Sequence, residues 1–346
     1  MSELILKSTY GPRDDEQFLR EMNMITEHHI RGCPELSNIW RGWQRATKIE
    51  DLPYLHVGLF KKLDLKTESA EVSHERTLQS SSTSGVSSKI HLDSFSSQLQ
   101  SKSSNLILKD FLGDGKAPLL ILDTAKSLRQ RGVVSAKIAA AMSLREFATD
   151  MIFLLKDENA ESMKEEMLES ILAEHDTVLV YGFSWMLWFA WGKRTFSKSI
   201  KDLLAGKTIK FIHSGGWKKL EAEQVSPKVF ESTLLDGLGK YSLVLDYYGL
   251  VEQIGIIYPL CEAGWRHVPL WANVIVRDSY SLEPLIGEVG QLQLLNTISW
   301  GAPYHNVLTE DIGIVSDSSC SCGRSGKKFQ LLGRIPKAEL RGCSNV

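Results

Sequence analysis

The sequence carries almost no excess of charge: Lys and Arg total 40 against 42 Asp and Glu, a formal net charge of −2. A surface that follows a nucleic-acid backbone needs surplus cations, so nucleic acid is not expected as a main partner. Long apolar runs are missing too. The N-terminus, Met1 to Lys7, has no apolar core of signal-peptide length. The uncharged, Trp- and Phe-rich stretch Thr177 to Gly192 is interrupted by Gly182 and Ser184. It stops short of the ~20 residues that a spanning helix needs, so no membrane span is expected. Cysteine is scarce and odd in number, five in all. Without a secretion signal, that points to a reducing compartment and a cytoplasmic protein. The Walker pattern Gly-x-x-x-x-Gly-Lys is absent as well.

What is present instead is Leu78 to Lys89, a run dominated by Ser and Thr with a single glycine, Gly85. Such a run cannot build core. Small residues let the backbone approach a ligand, and the N–H groups of such a turn form an anion-binding nest. Ser81, Ser82, Thr83 and Ser84 add hydroxyl donors, and Lys89 closes the run with a cation. The reading is a loop that grips phosphate; the alternative is a solvated Ser-rich surface loop.

Phe18, Met22 and Ile25 recur at helical spacing within Arg13 to Ile30, part of an N-terminal helical layer. Glu71 to Gln79 reads as a strand leading into the Ser-rich loop. From residue 118 to 182 strands and helices alternate. Pro118 to Asp123, Met151 to Leu155 and Thr177 to Tyr181 are strands, with a turn at Gly182. Ala136 to Asp150 and Lys164 to Glu174 are helices. That rhythm predicts crossover units and a largely parallel sheet. Lys207 to His213 is a further strand that ends in Ser214-Gly215-Gly216-Trp217, at the strand end where open α/β sheets bind ligands. From about residue 243 the strands shorten and turns multiply, marking a second, more β-rich lobe.

Tyr247-Tyr248-Gly249-Leu250-Val251-Glu252 places a carboxylate three residues after a glycine. Thr309-Glu310-Asp311 places a second at another strand junction, and Gly333-Arg334 adds a cation that keeps its charge. A hydroxyl-rich loop, Tyr-Gly-x-x-Glu, Thr-x-Asp and Gly-Arg, in that order, resembles the adenylate-forming superfamily, which activates carboxylates with ATP. Pro303 to Asp311, Cys320-Ser321-Cys322-Gly323-Arg324 and Gly333-Arg334 are similar in order and spacing to phenylacetate–CoA ligases. The tail Gly333 to Ser344, the Ser80 to Lys89 loop and the Gly215-Gly216-Trp217-Lys218 turn look more like acyl-protein synthetases of bacterial bioluminescence, the LuxE family. The resemblance runs from about residue 50 to the end.

This resemblance implies an α/β fold: the large N-terminal domain of an adenylate-forming enzyme, with parallel-sheet subdomains and a more β-rich C-terminal lobe. It divides the chain into a core, 1–332, and a tail, 333–346. It implies that Ser80 to Lys89 hold the β and γ phosphates and that Glu252 holds Mg²⁺. Asp311 would accept from the ribose hydroxyls, Arg334 would lie near ribose and phosphate, and Tyr248 or Tyr247 would stack on adenine. A fatty or other acid would be adenylated and moved to a cysteine near the C-terminus, where Cys343 occupies the matching place; an exposed terminal cysteine with no role is the alternative. There are departures. Ser82 and Ser84 stand where Gly and Thr are common, and Asn306 and Val307 where the ligases tend to have Arg and Tyr. The sequence ends at Val346, so the mobile C-terminal lid of the ligases, with its catalytic lysine, is expected to be absent.

Cys261, His267, Cys320 and Cys322 supply three thiols and an imidazole, the ligand types of a closed structural Zn²⁺ site. The other reading is two buried thiols, a Cys-x-Cys turn and an ordinary histidine. Cys33 has no partner in this scheme and is read as packing. Phe183, Trp185, Met186, Trp188 and Phe189 line an acyl channel or are core. His91 and Asp93 are functional or merely polar edge residues. Three functions stay open: an acyl-protein synthetase acting with an acyl-accepting or reductase protein, an acyl- or aryl-CoA ligase relative, and a non-catalytic nucleotide- or acyl-binding subunit.

Overall fold

Val178, Leu179, Val180 and Tyr181 are all buried, as expected of a strand covered on both faces. In the computed structural model, Thr177–Phe183 lies inside a six-stranded sheet. The structure describes residues 3–70, 72–79, 89–126, 133–215, 217 and 222–335. Across the sheet the order is Tyr258–Pro259, Leu243–Tyr248, Thr208–Ser214, Thr177–Phe183, Ala117–Ile121 and Ala148–Phe153. Every pairing is parallel except that of Tyr258–Pro259. The predicted crossover architecture is therefore present. Alternate residues feed two layers. Leu120, Val178, Val180 and Phe211 pack with Leu168, Ile200 and Phe230 from helices on one face. Leu119, Leu179, Tyr181, Ile212 and Leu245 pack with Leu108 and Leu112 of the helix Ser94–Leu112 on the other.

Local boundaries differ from the expectations at three places. Thr177–Phe183 runs straight through Gly182, which pairs with His213 instead of turning the chain. The helix Ala136–Ser143 ends well before Asp150, because Ala148 opens a strand that pairs with Ala117. Leu243–Tyr248, where the texture of the sequence changes, hydrogen-bonds in parallel to Thr208–Ser214 and so belongs to this sheet.

The second large sheet is antiparallel, in the order Arg266–His267, Lys328–Arg334, Asn306–Ser316, Gly290–Asn296, Ala272–Arg277 and Pro284–Leu285. Leu55–His56 adds to Asn306–Ser316 in parallel. Phe18, Met22 and Ile25 of the helix Asp15–Gly32 close this sheet's core, as their periodicity predicts. Ser94–Leu112 joins the two cores: Leu99 and Ile107 face the antiparallel sheet, Leu108 and Leu112 the parallel one. Asp93 starts that helix, its Oδ1 accepting from Ser96 N at 2.8 Å. Among the described residues no helix is long and apolar enough to cross a membrane.

A third, small sheet carries the Ser-rich loop. His74–Gln79 and Lys89–Asp93 form an antiparallel hairpin whose last pair is Gln79 with Lys89, and Val133–Ser135 pairs in parallel with His74–Gln79. Leu78 and Ile90 of the hairpin pack in one cluster with Tyr304, Val251 and Ile254. The loop's base is thereby held against the turn that carries Glu252.

Candidate functional site

Asn306–Ser316 breaks register opposite Leu292: Ile312 pairs with Gln291 but Leu308 with Gln293, so Thr309, Glu310 and Asp311 bulge from the ladder. Such a bulge re-aims side chains and strands backbone groups. Thr309 repairs it, its hydroxyl donating to Leu292 O at 2.8 Å and accepting from Asp311 N at 3.0 Å. That is why a hydroxyl residue precedes the acid by two positions. Gln291 Nε2 donates to Thr309 O at 2.5 Å. On the other edge of the strand Asp311 stands opposite Arg334.

The Asp311 carboxylate is buried, accepting from Tyr248 Oη at 2.7 Å and from Arg334 Nε at 2.8 Å. Arg334 is 69% exposed, so the guanidinium reaches solvent from a buried partner. Burial, and then the Asp311 charge, push the Tyr248 hydroxyl well above the ordinary tyrosine range, which keeps it a donor. A carboxylate offers about four lone-pair sites. Two are used here, which leaves Asp311 able to accept from a diol. Tyr248 also stacks on Tyr258 with ring centroids 6.1 Å apart. Tyr247 points the other way and packs with Tyr181, Ile212 and Leu245. Of the two tyrosines, Tyr248 is the one joined to Asp311 and Arg334.

Gly249 follows Tyr248, and Glu252 lies buried on the short turn Val251–Gln253. Gln253 fixes that turn, donating to Tyr304 O at 2.6 Å and accepting from Asn296 Nδ2 at 2.9 Å. Tyr304 in turn donates to His91 O at 3.3 Å, on the hairpin strand that begins at the exposed Lys89. Tyr248, Asp311 and Arg334 are thus directly bonded, and Gln253 and Tyr304 separately tie the Glu252 turn to the base of the Ser-rich loop. Ser81, Ser82, Thr83, Ser84, Gly85, Gly216 and Cys343 lie outside the described residues. His91 pairs with Asp64 at 2.5 Å, and Asp93 caps a helix. Cys33 is buried among Leu36, Leu55 and Phe60, as packing requires.

Met186 and Trp188, read as possible channel residues, belong to the core beneath the parallel sheet, with Phe183, Trp185 and Phe189 packed at its edge. Trp185 and Phe189 also line a groove of about 780 Å³ with Lys193 and Arg194. Ser184 and His213, at the carboxyl ends of adjacent parallel strands, were not singled out in the sequence. Ser184 Oγ lies 2.9 Å from His213 Nδ1 and 2.6 Å from Gly215 O. The strand-end rule applied to Phe183-Ser184 would have found them.

Cys261, His267, Cys320 and Cys322 converge: their ligand atoms all lie within 4.8 Å of one another. Cys261 Sγ and Cys320 Sγ are 3.9 Å apart, and Cys322 Sγ is 3.2 Å from His267 Nε2. Thiolates bound tetrahedrally at ~2.3 Å would be about 3.8 Å apart, so the spacing fits a metal. His267 Nδ1 is buried without a hydrogen-bond partner among the described residues. Burial, then the Arg324 and Lys328 charges, lower His267 to about 4, leaving the neutral imidazole that a metal takes. The cluster links the turn after Pro259 to the turn between Asn306–Ser316 and Lys328–Arg334. The neighbouring Arg266 is buried and bonds the Asp246 carboxylate on the strand that carries Tyr248.

The acyl-protein synthetase family LuxE matches residues 43–346. A long-chain-fatty-acid–luciferin-component ligase of Aliivibrio fischeri is 26% identical over 146 residues, 41% of this chain and 38% of that protein's length. An open 2-hydroxyisobutyryl-CoA ligase with 2-HIB-AMP and CoA superposes with a TM-score of 0.65 at 14% identity, covering 93% of this chain and 75% of that one. The same ligase in the postadenylation state with R3-HIB-AMP gives 0.63 at 14% identity, covering 93% and 68%. The chain belongs to the acyl-protein synthetase family LuxE and has the fold of the adenylate-forming ligases.

Proposed function

We propose that this protein joins a carboxylic acid, a fatty acid by its family, to AMP from ATP and passes the acyl group to a thiol of Cys343 or of a partner protein. In the first step a carboxylate oxygen attacks the α-phosphorus, and the bond to the departing pyrophosphate breaks. In the second a thiolate attacks the acyl carbon, and AMP leaves. The observation that carries this reading is the bonded set Tyr248–Asp311–Arg334, with Glu252 shortly after Tyr248 in the chain on a turn packed against the base of the Ser-rich loop.

Each residue then has a task. Asp311 accepts from the ribose diol with the lone pairs that Tyr248 and Arg334 leave over. Arg334 offers its exposed donors to phosphate or ribose. Ser81 to Gly85 with Lys89 cradle the β and γ phosphates. Glu252 would hold Mg²⁺, a hard ion that takes one or two carboxylates and neutralises phosphate charge when bound. The chemistry is mostly positioning. The Cys261, His267, Cys320, Cys322 set would hold structural Zn²⁺ away from the reacting atoms. A protein acceptor or reductase would receive the acyl group, with Cys343 in the 333–346 tail as the relay.

ATP–pyrophosphate exchange over a panel of acids tests the first step. Exchange should depend on the acid and fall at least about 100-fold in Glu252→Ala. No exchange with any acid favours a nucleotide- or acyl-binding relative. A hydroxylamine-labile acyl label held by wild type and lost in Cys343→Ser supports transfer to protein. Release of a CoA thioester instead supports the ligase alternative, to whose phenylacetate–CoA ligase branch Pro303 to Asp311 and Cys320-Ser321-Cys322-Gly323-Arg324 are similar in order and spacing.

A further inference from the structure

Gly182-Phe183-Ser184 stands at a strand-to-helix turn, with Ser184 at the carboxyl end of the parallel sheet and His213 on the adjoining strand. The arrangement resembles a serine nucleophile beside its base. The protons exclude that. A serine hydroxyl has one hydrogen, and a backbone carbonyl can only accept. The 2.6 Å contact between Ser184 Oγ and Gly215 O takes that hydrogen. The 2.9 Å contact between Ser184 Oγ and His213 Nδ1 must therefore be donated by Nδ1–H. His213 does not take a proton from Ser184; it gives Ser184 a hydrogen bond, and Ser184 passes one on to Gly215.

Gly215 is the residue so held, and it has φ +75°, a left-handed conformation that glycine adopts without strain. We infer that Ser184 and His213 are positioning residues for the nucleotide: a relay from His213 Nδ1–H through Ser184 to the Gly215 carbonyl fixes the turn that receives it. This rests on the adenylating function proposed above. The groups facing His213 agree with a neutral ring. It is buried at 8% exposure, tilted on Phe230 at 5.0 Å, with Asp246 Oδ1 3.9 Å from Nδ1. Burial and the Arg266 charge hold its pKa below the ordinary histidine value, against the pull of Asp246. Asp246 is itself bonded to Arg266.

The tautomer makes the relay testable by isostere. Asparagine places an N–H near the Nδ1 position, glutamine near Nε2. His213→Asn should keep the KM for ATP in pyrophosphate exchange within about 3-fold of wild type, whereas Ser184→Ala and His213→Gln should raise it roughly 10-fold with kcat little changed. Thermal melts establish that each variant is folded. An unchanged KM in folded Ser184→Ala overturns the relay, as does a His213→Gln equal to His213→Asn, or a loss confined to kcat. Long-range ¹H–¹⁵N correlation of wild type reads the tautomer without any activity: a proton on Nε2 overturns the relay. Nδ1 protonated in a protein that binds no ATP upholds the hydrogen bonds but overturns the nucleotide reading, and the positioning role with it.

Discussion

Asp311 is a single carboxylate on which two donors from different strands converge, so its charge and its shape act together. Asp311→Asn keeps the shape but sets an amide N–H against either Tyr248 Oη or Arg334 Nε, both of which point at the carboxylate as donors. The charge-assisted bond to Arg334 is lost, and the exposed guanidinium loses its anchor. Exchange activity is expected to fall about 100-fold while the melting temperature changes little. Activity within 3-fold of wild type would remove Asp311 from the site. Asp311, Arg334 and Glu252 stood out in the sequence because each charge falls close after a glycine or hydroxyl, but Asp311 lies on a bulge within the strand Asn306–Ser316 and not at the strand junction expected. The choice between Tyr247 and Tyr248 was not. It follows from strand alternation, which sends neighbours to opposite faces, and only the pairing with Thr208–Ser214 says which face is which. The strand-end rule points to Ser184 and His213 one at a time, but only the parallel register shows that they meet.

Among the elements, the turn after Glu252 depends on a close approach. Gly255 has φ +86°, and a Cβ there would meet Gln100 Cα at 2.6 Å on the helix Ser94–Leu112. Ser103 Oγ donates to Gly255 O at 2.6 Å and accepts from Trp271 Nε1 at 2.7 Å, so one serine joins the turn, the helix and the antiparallel sheet. Gly255→Ala combines backbone strain with a clash against backbone. It should cost about 2 kcal/mol or more in urea unfolding and lower exchange by displacing Glu252. The Cys/His cluster acts at the same scale. Zinc there would hold Arg266–His267 against Lys328–Arg334, and so steady both Arg266 on Asp246 and Arg334 on Asp311. Purified protein should release one equivalent of zinc to a thiol-reactive mercurial. Cys322→Ser should bind none and melt at least about 5 °C lower. Metal-free wild type with an unchanged melting temperature would refute a structural ion. Strand–helix alternation was readable here, but boundaries at Gly182 and Ser143 were not, because pairing with a neighbouring strand overrode local propensity.

For the molecule as a whole, the docking of the N-terminal helix rests on histidines that stay neutral. His29 and His305 stack with ring centroids 4.7 Å apart between the helix Asp15–Gly32 and the antiparallel sheet. His29 Nε2 meets Ser299 O at 2.9 Å, so Nε2 carries the proton and Nδ1 accepts from Thr67 Oγ1 at 2.7 Å. His305 Nε2 contacts Thr26 Oγ1 at 3.0 Å. Burial, and then the His28 charge, lower His305 to about 3; burial, followed by His305 and His28, holds His29 well below the ordinary value. Phe18, Met22 and Ile25 announced the helix, and His29 continues their spacing on the same face, so the period also accounts for its burial. The sign of the pH effect follows from the direction of the shifts. Both groups have folded pKa values below the unfolded value of about 6.5, so the unfolded chain binds more protons as pH falls. The stability they contribute is complete above that pH and is lost as pH falls towards about 3. Each adds a slope of up to about 1.4 kcal/mol per pH unit. His213 and His267 are shifted in the same sense, whereas Glu27 and Asp64 are lowered carboxylates that matter only below their own ordinary range. Urea unfolding should therefore weaken steeply between pH 6.5 and 4.5, and His305→Gln should flatten that decline by about one histidine's share. A stability that stays level across this window, or a His305→Gln variant as steep as wild type, would mean that these rings are hydrated and charged, and that the helix is held by its apolar face alone.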